Sequence, residues 1–236
     1  MSAEQRSWDN DLAEARQLSQ RLSASLPEKI EVAAIGTLSK APFQLLTIRE
    51  ALFWRTEELA RSACDALDKE DFAVAALTTR ALAESAAMVW YLLEILQQRS
   101  DYSPAELNDR LMRMFAGSKQ WSDAPQAINV LTFVERMDRT IPGFAAGYAS
   151  LSEYAHPNWI GVSGLYSKID RANFTVHFGR SFKTELAGRQ LVNTLVGALL
   201  AFESGYNKIA DIMPLFVGEL EKIWPDPDKG PPPPNE

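Results

Sequence analysis

The chain of 236 residues is 46% hydrophobic and 23% charged, with a net charge of −7. This is the composition of an ordinary globular protein, long enough to bury one large core. The acidic balance argues against broad phosphate-backbone binding, which needs a basic face. One cysteine, Cys64, excludes an internal disulfide, and with only two histidines it leaves few metal ligands beyond carboxylates. Neither a metal nor a cofactor is expected.

The opening stretch MSAEQRSWDNDLAEARQ places acids where a secretory signal would be apolar, so a cytoplasmic location is expected. From Glu4 to Leu26 the spacing of Trp8, Leu12, Ala15, Leu22 and Leu26 predicts a first helix, stopped by Pro27. A second helix follows from Pro42 to Leu67, with Leu45, Ile48, Leu52, Leu59 and Ala63 at helical intervals. Arg49, Arg55 and Arg61 alternate there with Glu50, Glu57 and Glu58 and read as a solvated face. After a polar corner at residues 68–71, a third helix fills Phe72 to Gln98.

Between Phe72 and Leu93 the only charged residues are Arg80 and Glu84, so this helix is apolar nearly all round and belongs in the middle. Charges near a bilayer centre would be costly, and no membrane role is expected. Four residues apart, Arg80 and Glu84 share a face and can pair. They are either a buried ion pair that fixes helix register or the polar floor of a pocket. In a pocket, Arg80 would meet an anion and Glu84 would act as a base or an orienting carboxylate.

Ser103, Pro104 and Glu106 form a capping box that starts a fourth helix, closed by Gly117 and Ser118. A fifth is expected from Pro125 to Met137, and Pro142-Gly143 opens a sixth that ends at His156, before Pro157. Two β-prone runs, Leu165–Ile169 and Phe174–Phe178, flank Asp170-Arg171-Ala172-Asn173 and predict a hairpin. A long helix is expected from Thr184 to about Asp211, uncharged from Gln190 to Phe202, and a short one from Pro214 to Trp224. Gly188, Gly197 and Gly205 permit close approach of a neighbour. The expected fold is all-α: a single-domain multi-helix bundle over residues 1–224 with one small β-hairpin insertion at about 164–178. A disordered, Pro-rich tail takes residues 225–236.

The segment SEYAHPNW holds one of the two histidines at a helix end. Tyr148, Ser152 and His156 recur at intervals of four, and Asn158 follows, so Arg80, Glu84, Tyr148, Ser152, His156 and Asn158 form the candidate ligand site. Ser152 lies in the last turn of its helix, where carbonyls project rather than amides, which argues against a nucleophilic serine.

The segments LTTRALAESAAMVWYLLEIL, with Arg-x3-Glu, and YASLSEYAHPNWIGV, with Leu-Ser-x3-His-Pro, resemble an uncharacterised group of bacterial all-helical proteins. That group is similar to the HEPN superfamily, which has relatives near abortive-infection and toxin genes. The resemblance covers about Phe72 to Asp211 and implies a HEPN-type helical scaffold. HEPN ribonucleases carry an arginine, four to six residues, then a histidine, acting together at the scissile phosphate. Before His156 the matching positions are Ala149, Ser150 and Leu151, so the pair is missing there. Arg171 and His177 have the right separation but fall on the expected hairpin, which makes them a weak ribonuclease candidate.

Three readings stay open: a non-catalytic protein whose polar pocket binds a small anion or a partner segment; a metal-independent ribonuclease of a toxin or phage-defence system; and a structural or regulatory subunit using the β-arm and first helix. A homodimer is expected, a protein partner is allowed, and nucleic acid is disfavoured.

Overall fold

The computed structural model describes residues 6–31, 39–180, 182 and 184–223. Among these are seven α-helices and one two-stranded antiparallel sheet, an all-α bundle with a small β-insertion. The helices are α1 (Asp9–Ala24), α2 (Ala41–Asp68), α3 (Phe72–Gln97), α4 (Pro104–Phe115), α5 (Val130–Thr140), α6 (Phe144–Ala155) and α7 (Thr184–Ile223). The strands are β1 (Ser167–Asp170) and β2 (Thr175–Phe178). The expected Pro-rich tail lies outside the described residues.

Helix α3 is the axis of the molecule. It packs most extensively on α7 and α2, then on α6 and α5. It is long and apolar enough to cross a bilayer by length and composition. Here Leu82, Ala86, Leu92 and Leu96 are fully buried against other helices instead. Each leucine buried in this way contributes about 1.5–3 kcal/mol relative to leaving it in water.

The tight turn after α2 makes α2 and α3 antiparallel. Helices α3 and α7 run the same way. At one end Trp8 of α1's N-cap stacks edge-on against Phe72 and fills the space above Gly188. Further along, Trp90 Nε1 donates to the Ala201 carbonyl at 2.8 Å. A Cβ on Gly188 would fall inside the fully buried Trp8 indole, so only glycine lets α7 pass there. Helix α6 runs against both neighbours: Gly147 faces Thr194, while Tyr154 donates to Gln190 Oε1 at 3.0 Å. Leu12, Ala15, Leu18 and Leu22 of α1 are buried, making that helix part of the core.

Several expected boundaries move. Helix α5 starts at Val130 rather than Pro125, because Asn129 Oδ1 accepts from Leu131 N and caps it. Pro125 instead gives its carbonyl to Ser118 N in a bridged loop. The expected break near Asp211 is absent, and α7 continues through Pro214. Proline removes one backbone hydrogen bond. The helix persists because Pro214 lies on the exposed side, while Phe216 and Leu220 beyond it are buried and Glu219 pairs with Arg99. The capping box at Ser103 forms in full, with Glu106 reaching back to Ser103 N at 2.9 Å.

The expected solvated face of α2 is also corrected. Arg55 and Arg61 are exposed, but Arg49 is buried against Tyr206, its guanidinium carbon 3.5 Å from the ring centroid. Glu57, on the same helix, is buried and accepts from Ser23.

Candidate functional site

The site begins with helix periodicity. Residues 80 and 84 fall one turn apart on α3, and α6 crosses that face at Tyr148. The Tyr148 hydroxyl donates to Glu84 Oε1 at 2.8 Å and accepts from Arg80 Nε and Nη2 at 3.1 and 3.0 Å. Arg80 also approaches Glu84 directly at 3.5 Å, and its guanidinium sits 5.1 Å from the Tyr148 ring centroid.

The three side chains form one relay between the two helices. Burial raises the Tyr148 phenol above its ordinary value, and the Glu84 acceptor adds to this against the lowering effect of Arg80. Tyr148 therefore stays protonated and remains a donor.

The pair does form, but the reading of it as buried is corrected. The Arg80 and Glu84 side chains are 26% and 28% exposed. One edge of the relay therefore meets solvent, and Arg80 Nη1 has no hydrogen-bond partner among the described residues. A charged donor at a helix–helix seam can bind an anion without first giving up a structural bond.

Ser152 is one turn further along α6, but its hydroxyl donates to the Tyr148 carbonyl at 3.0 Å, a contact internal to the helix. His156 is the C-cap: its N–H donates to the Ser152 carbonyl, and its backbone turns to extended geometry before Pro157. Its imidazole is exposed and makes no hydrogen bond to any described residue.

Asn158 stabilises the following π-turn at Ile160–Gly164. It accepts from Gly161 N at 2.9 Å and donates to Glu153 at 2.7 Å. A Cβ on Gly161 would collide with the His156 carbonyl, so glycine is required for this turn. The structure thus joins the side chains of Arg80, Glu84 and Tyr148, while Ser152, His156 and Asn158 follow along α6 and its exit with no side-chain hydrogen bond to those three side chains. Eight residues of helix from Tyr148 to His156 correspond to a rise of about 12 Å.

Arg171 and His177 lie on the exposed hairpin. Asp170 holds its turn by accepting from Ala172 N and Asn173 N. His177 sits opposite Lys168 in the strand register, with Nε2 3.3 Å from the Thr175 hydroxyl. Lys168, Arg171 and His177 border one open groove together with Phe178 and Phe182.

A second polar network was not legible in sequence. Arg49 donates to the Tyr206 carbonyl and pairs with Glu50, and the Tyr206 hydroxyl donates to Glu50 Oε2 at 2.6 Å. Beside it, a cavity of about 330 Å³ is lined by Phe53, Phe202 and Tyr206. Among the described residues, no three His, Cys, Asp or Glu side chains gather as a metal site. Cys64 is buried, and its thiol is pushed up to about 11, chiefly by desolvation. The chain has no significant match among protein-family models, curated proteins or solved structures.

Proposed function

We propose that this chain is a cytoplasmic, non-catalytic binding protein on a HEPN-like helical scaffold, and that the α3–α6 face holds an acidic segment of a partner protein. The observation that carries this reading is the partly exposed Arg80, aligned by Tyr148 and Glu84 but with Nη1 uncommitted among the described residues. Alignment in advance lowers the ordering cost of binding a carboxylate.

The length of the face favours a segment over a small anion. Arg80 and His156 mark two ends of a seam about 12 Å long by helix rise, which one phosphate cannot span. An extended peptide covers that distance in about four residues. Ser152, turned into its own helix, and the absence of an oxyanion arrangement around it count against acyl transfer.

The test is titration of the full chain with a hexaglutamate peptide and, separately, with inorganic phosphate. The peptide should bind more tightly than phosphate. Arg80→Gln should remove most of the affinity, and His156→Ala part of it. Equal peptide binding by wild type and both variants would overturn the reading.

A ribonuclease of a toxin or phage-defence system is the second reading, supported by the groove that Lys168, Arg171 and His177 share with two aromatic rings. It requires RNA cleavage by the purified chain and growth arrest relieved by His177→Ala. Intact RNA together with unimpaired growth counts against it.

A further inference from the structure

The hairpin arm brings exposed apolar side chains and cations to one place. Strand register puts Ile169 opposite Val176 and Ser167 opposite Phe178, which groups the apolar residues. Phe178 is 80% exposed and Ile169 67%. Both share open grooves with Lys168 and Arg171, so charge and apolar surface lie side by side. Arg180 pairs with Asp71 at 3.1 Å, and Asp170 is occupied by the Ala172 and Asn173 amides of its own turn. Lys168 and Arg171 make no ion pair or hydrogen bond among the described residues.

Phe174 is a second, independent observation. It sits at the turn with a φ of 53° and is 96% exposed. Left-handed geometry suits glycine or asparagine and is costly for a bulky side chain. Turn formation therefore does not account for a phenylalanine there, and strain of this kind points to a use for the ring at the tip of the arm.

Outside their own ladder the strands pack mainly on the π-turn, so the arm stands off the bundle. Four residues per strand give it a reach of about 13 Å. That exceeds the screening length of about 8 Å at physiological salt. The chain as a whole carries −7, but that charge is screened from whatever the arm touches, while Lys168 and Arg171 are not.

We propose that the arm is a peripheral anchor for an anionic lipid surface. Phe174, Phe178 and Ile169 enter the interfacial layer, and Lys168 and Arg171 meet the lipid phosphates. Leu82, Ala86, Leu92 and Leu96 of α3 are buried in the bundle, so this contact involves no membrane span. A nucleic-acid strand is also a polyanion, but it needs a track of cations and flat faces for successive bases. Two cations make no such track, and Ile169 and Val176 stack on no base yet insert among acyl chains. The arm shares no residue with the Arg80–His156 seam, so this proposal and the peptide-binding reading stand or fall independently.

The experiment is flotation of the full chain with vesicles of equal parts phosphatidylcholine and phosphatidylserine, and with phosphatidylcholine alone. Wild type should float with the mixed vesicles, less so as salt is raised, and far less with phosphatidylcholine. Phe174→Asn, which suits the left-handed turn better, should lower the partition coefficient at least about tenfold with unchanged circular dichroism. Lys168→Gln and Arg171→Gln should each lower it about fivefold. Arg80→Gln should float as wild type does, which separates this outcome from the peptide titration. A wild type that does not float, equal flotation with both vesicle types, or a Phe174 variant that floats undiminished would overturn the proposal. Retention of a single-stranded oligonucleotide that Phe174→Asn abolishes, without vesicle binding, would overturn it in favour of nucleic acid.

Discussion

Tyr148 donates its phenolic proton to Glu84 at 2.8 Å while Arg80 bonds the same oxygen from the other side. One hydroxyl therefore links α6 to both charges of α3, and removing it separates what the site does from what it stabilises. Tyr148→Phe keeps the ring, the burial and the cation–ring contact but deletes the relay. Hydrogen bonds to charged groups are worth about 1.5–3 kcal/mol when fully buried. Water reaches both partners here, so a loss of about 1 kcal/mol is expected, or a Tm lower by roughly 2–4 °C for a chain of this size. His156→Ala should change stability by less than about 0.5 kcal/mol, since its ring is exposed and unbonded. Urea titrations of the two variants side by side check the contrast, and a His156 variant as damaged as the Tyr148 variant contradicts it.

Gly188→Ala should be far more disruptive than its size suggests. The added methyl overlaps a fully buried indole wedged between α1, α3 and α7, and none of the three can retreat cheaply. Overpacking of this kind costs about 1–3 kcal/mol. Gly197→Ala makes the control, since a Cβ there meets nothing within 4 Å and alanine favours the helix. Thermal melts should move in opposite directions for the two substitutions.

Acid should weaken the fold through two specific carboxylates. Glu106 is held below its ordinary range by hydrogen bonds from Ser103, and Glu219 by its bond to Arg99. A depressed folded-state value means that the unfolded chain takes up protons first. The stabilisation is therefore complete above the ordinary carboxylate range near 4.3 and disappears as pH falls through the lower folded values. Urea midpoints measured from about pH 7 down to 3 should drop. Glu106→Gln and Glu219→Gln should each flatten that drop; identical slopes in all three proteins would refute the assignment.

Cys64 should resist modification in the native state. Its thiol is 3% exposed and raised to about 11, so near pH 8 little thiolate forms and little of it is reachable. Ellman's reagent should react slowly with the folded chain and rapidly in urea. Equal rates would show that α2 opens locally.

Local chemistry was readable from sequence wherever a signal and its partner lay close together along the chain. The Ser103–Glu106 box, the Arg80–Glu84 spacing and the alternating hairpin each state their own geometry. Arg49 could not be read, because the carbonyl it bonds lies 157 positions away on α7. Its charged neighbours imitate a solvated face, and only the packing of α7 across α2 reveals otherwise. Pro214 misleads for a related reason: proline disfavours the helix locally, while the burial of Phe216 and Leu220 beyond it outweighs that preference. The candidate site was half legible. Periodicity aligned Tyr148, Ser152 and His156 on one face of α6, but it could not show which of them reaches across to α3. Distance along the helix decides that, and only Tyr148 lies opposite the charged pair.

The parallel course of α3 and α7 has a consequence for how the molecule is made. Partners that run the same way cannot zip together from a short turn, and here residues 98–183 lie between them. Closing so long a loop slows folding, because entropy is lost before the contacts that repay it exist. During synthesis, at about 5–20 residues per second, the greasy surface of α3 therefore waits several seconds for the helix that will cover it.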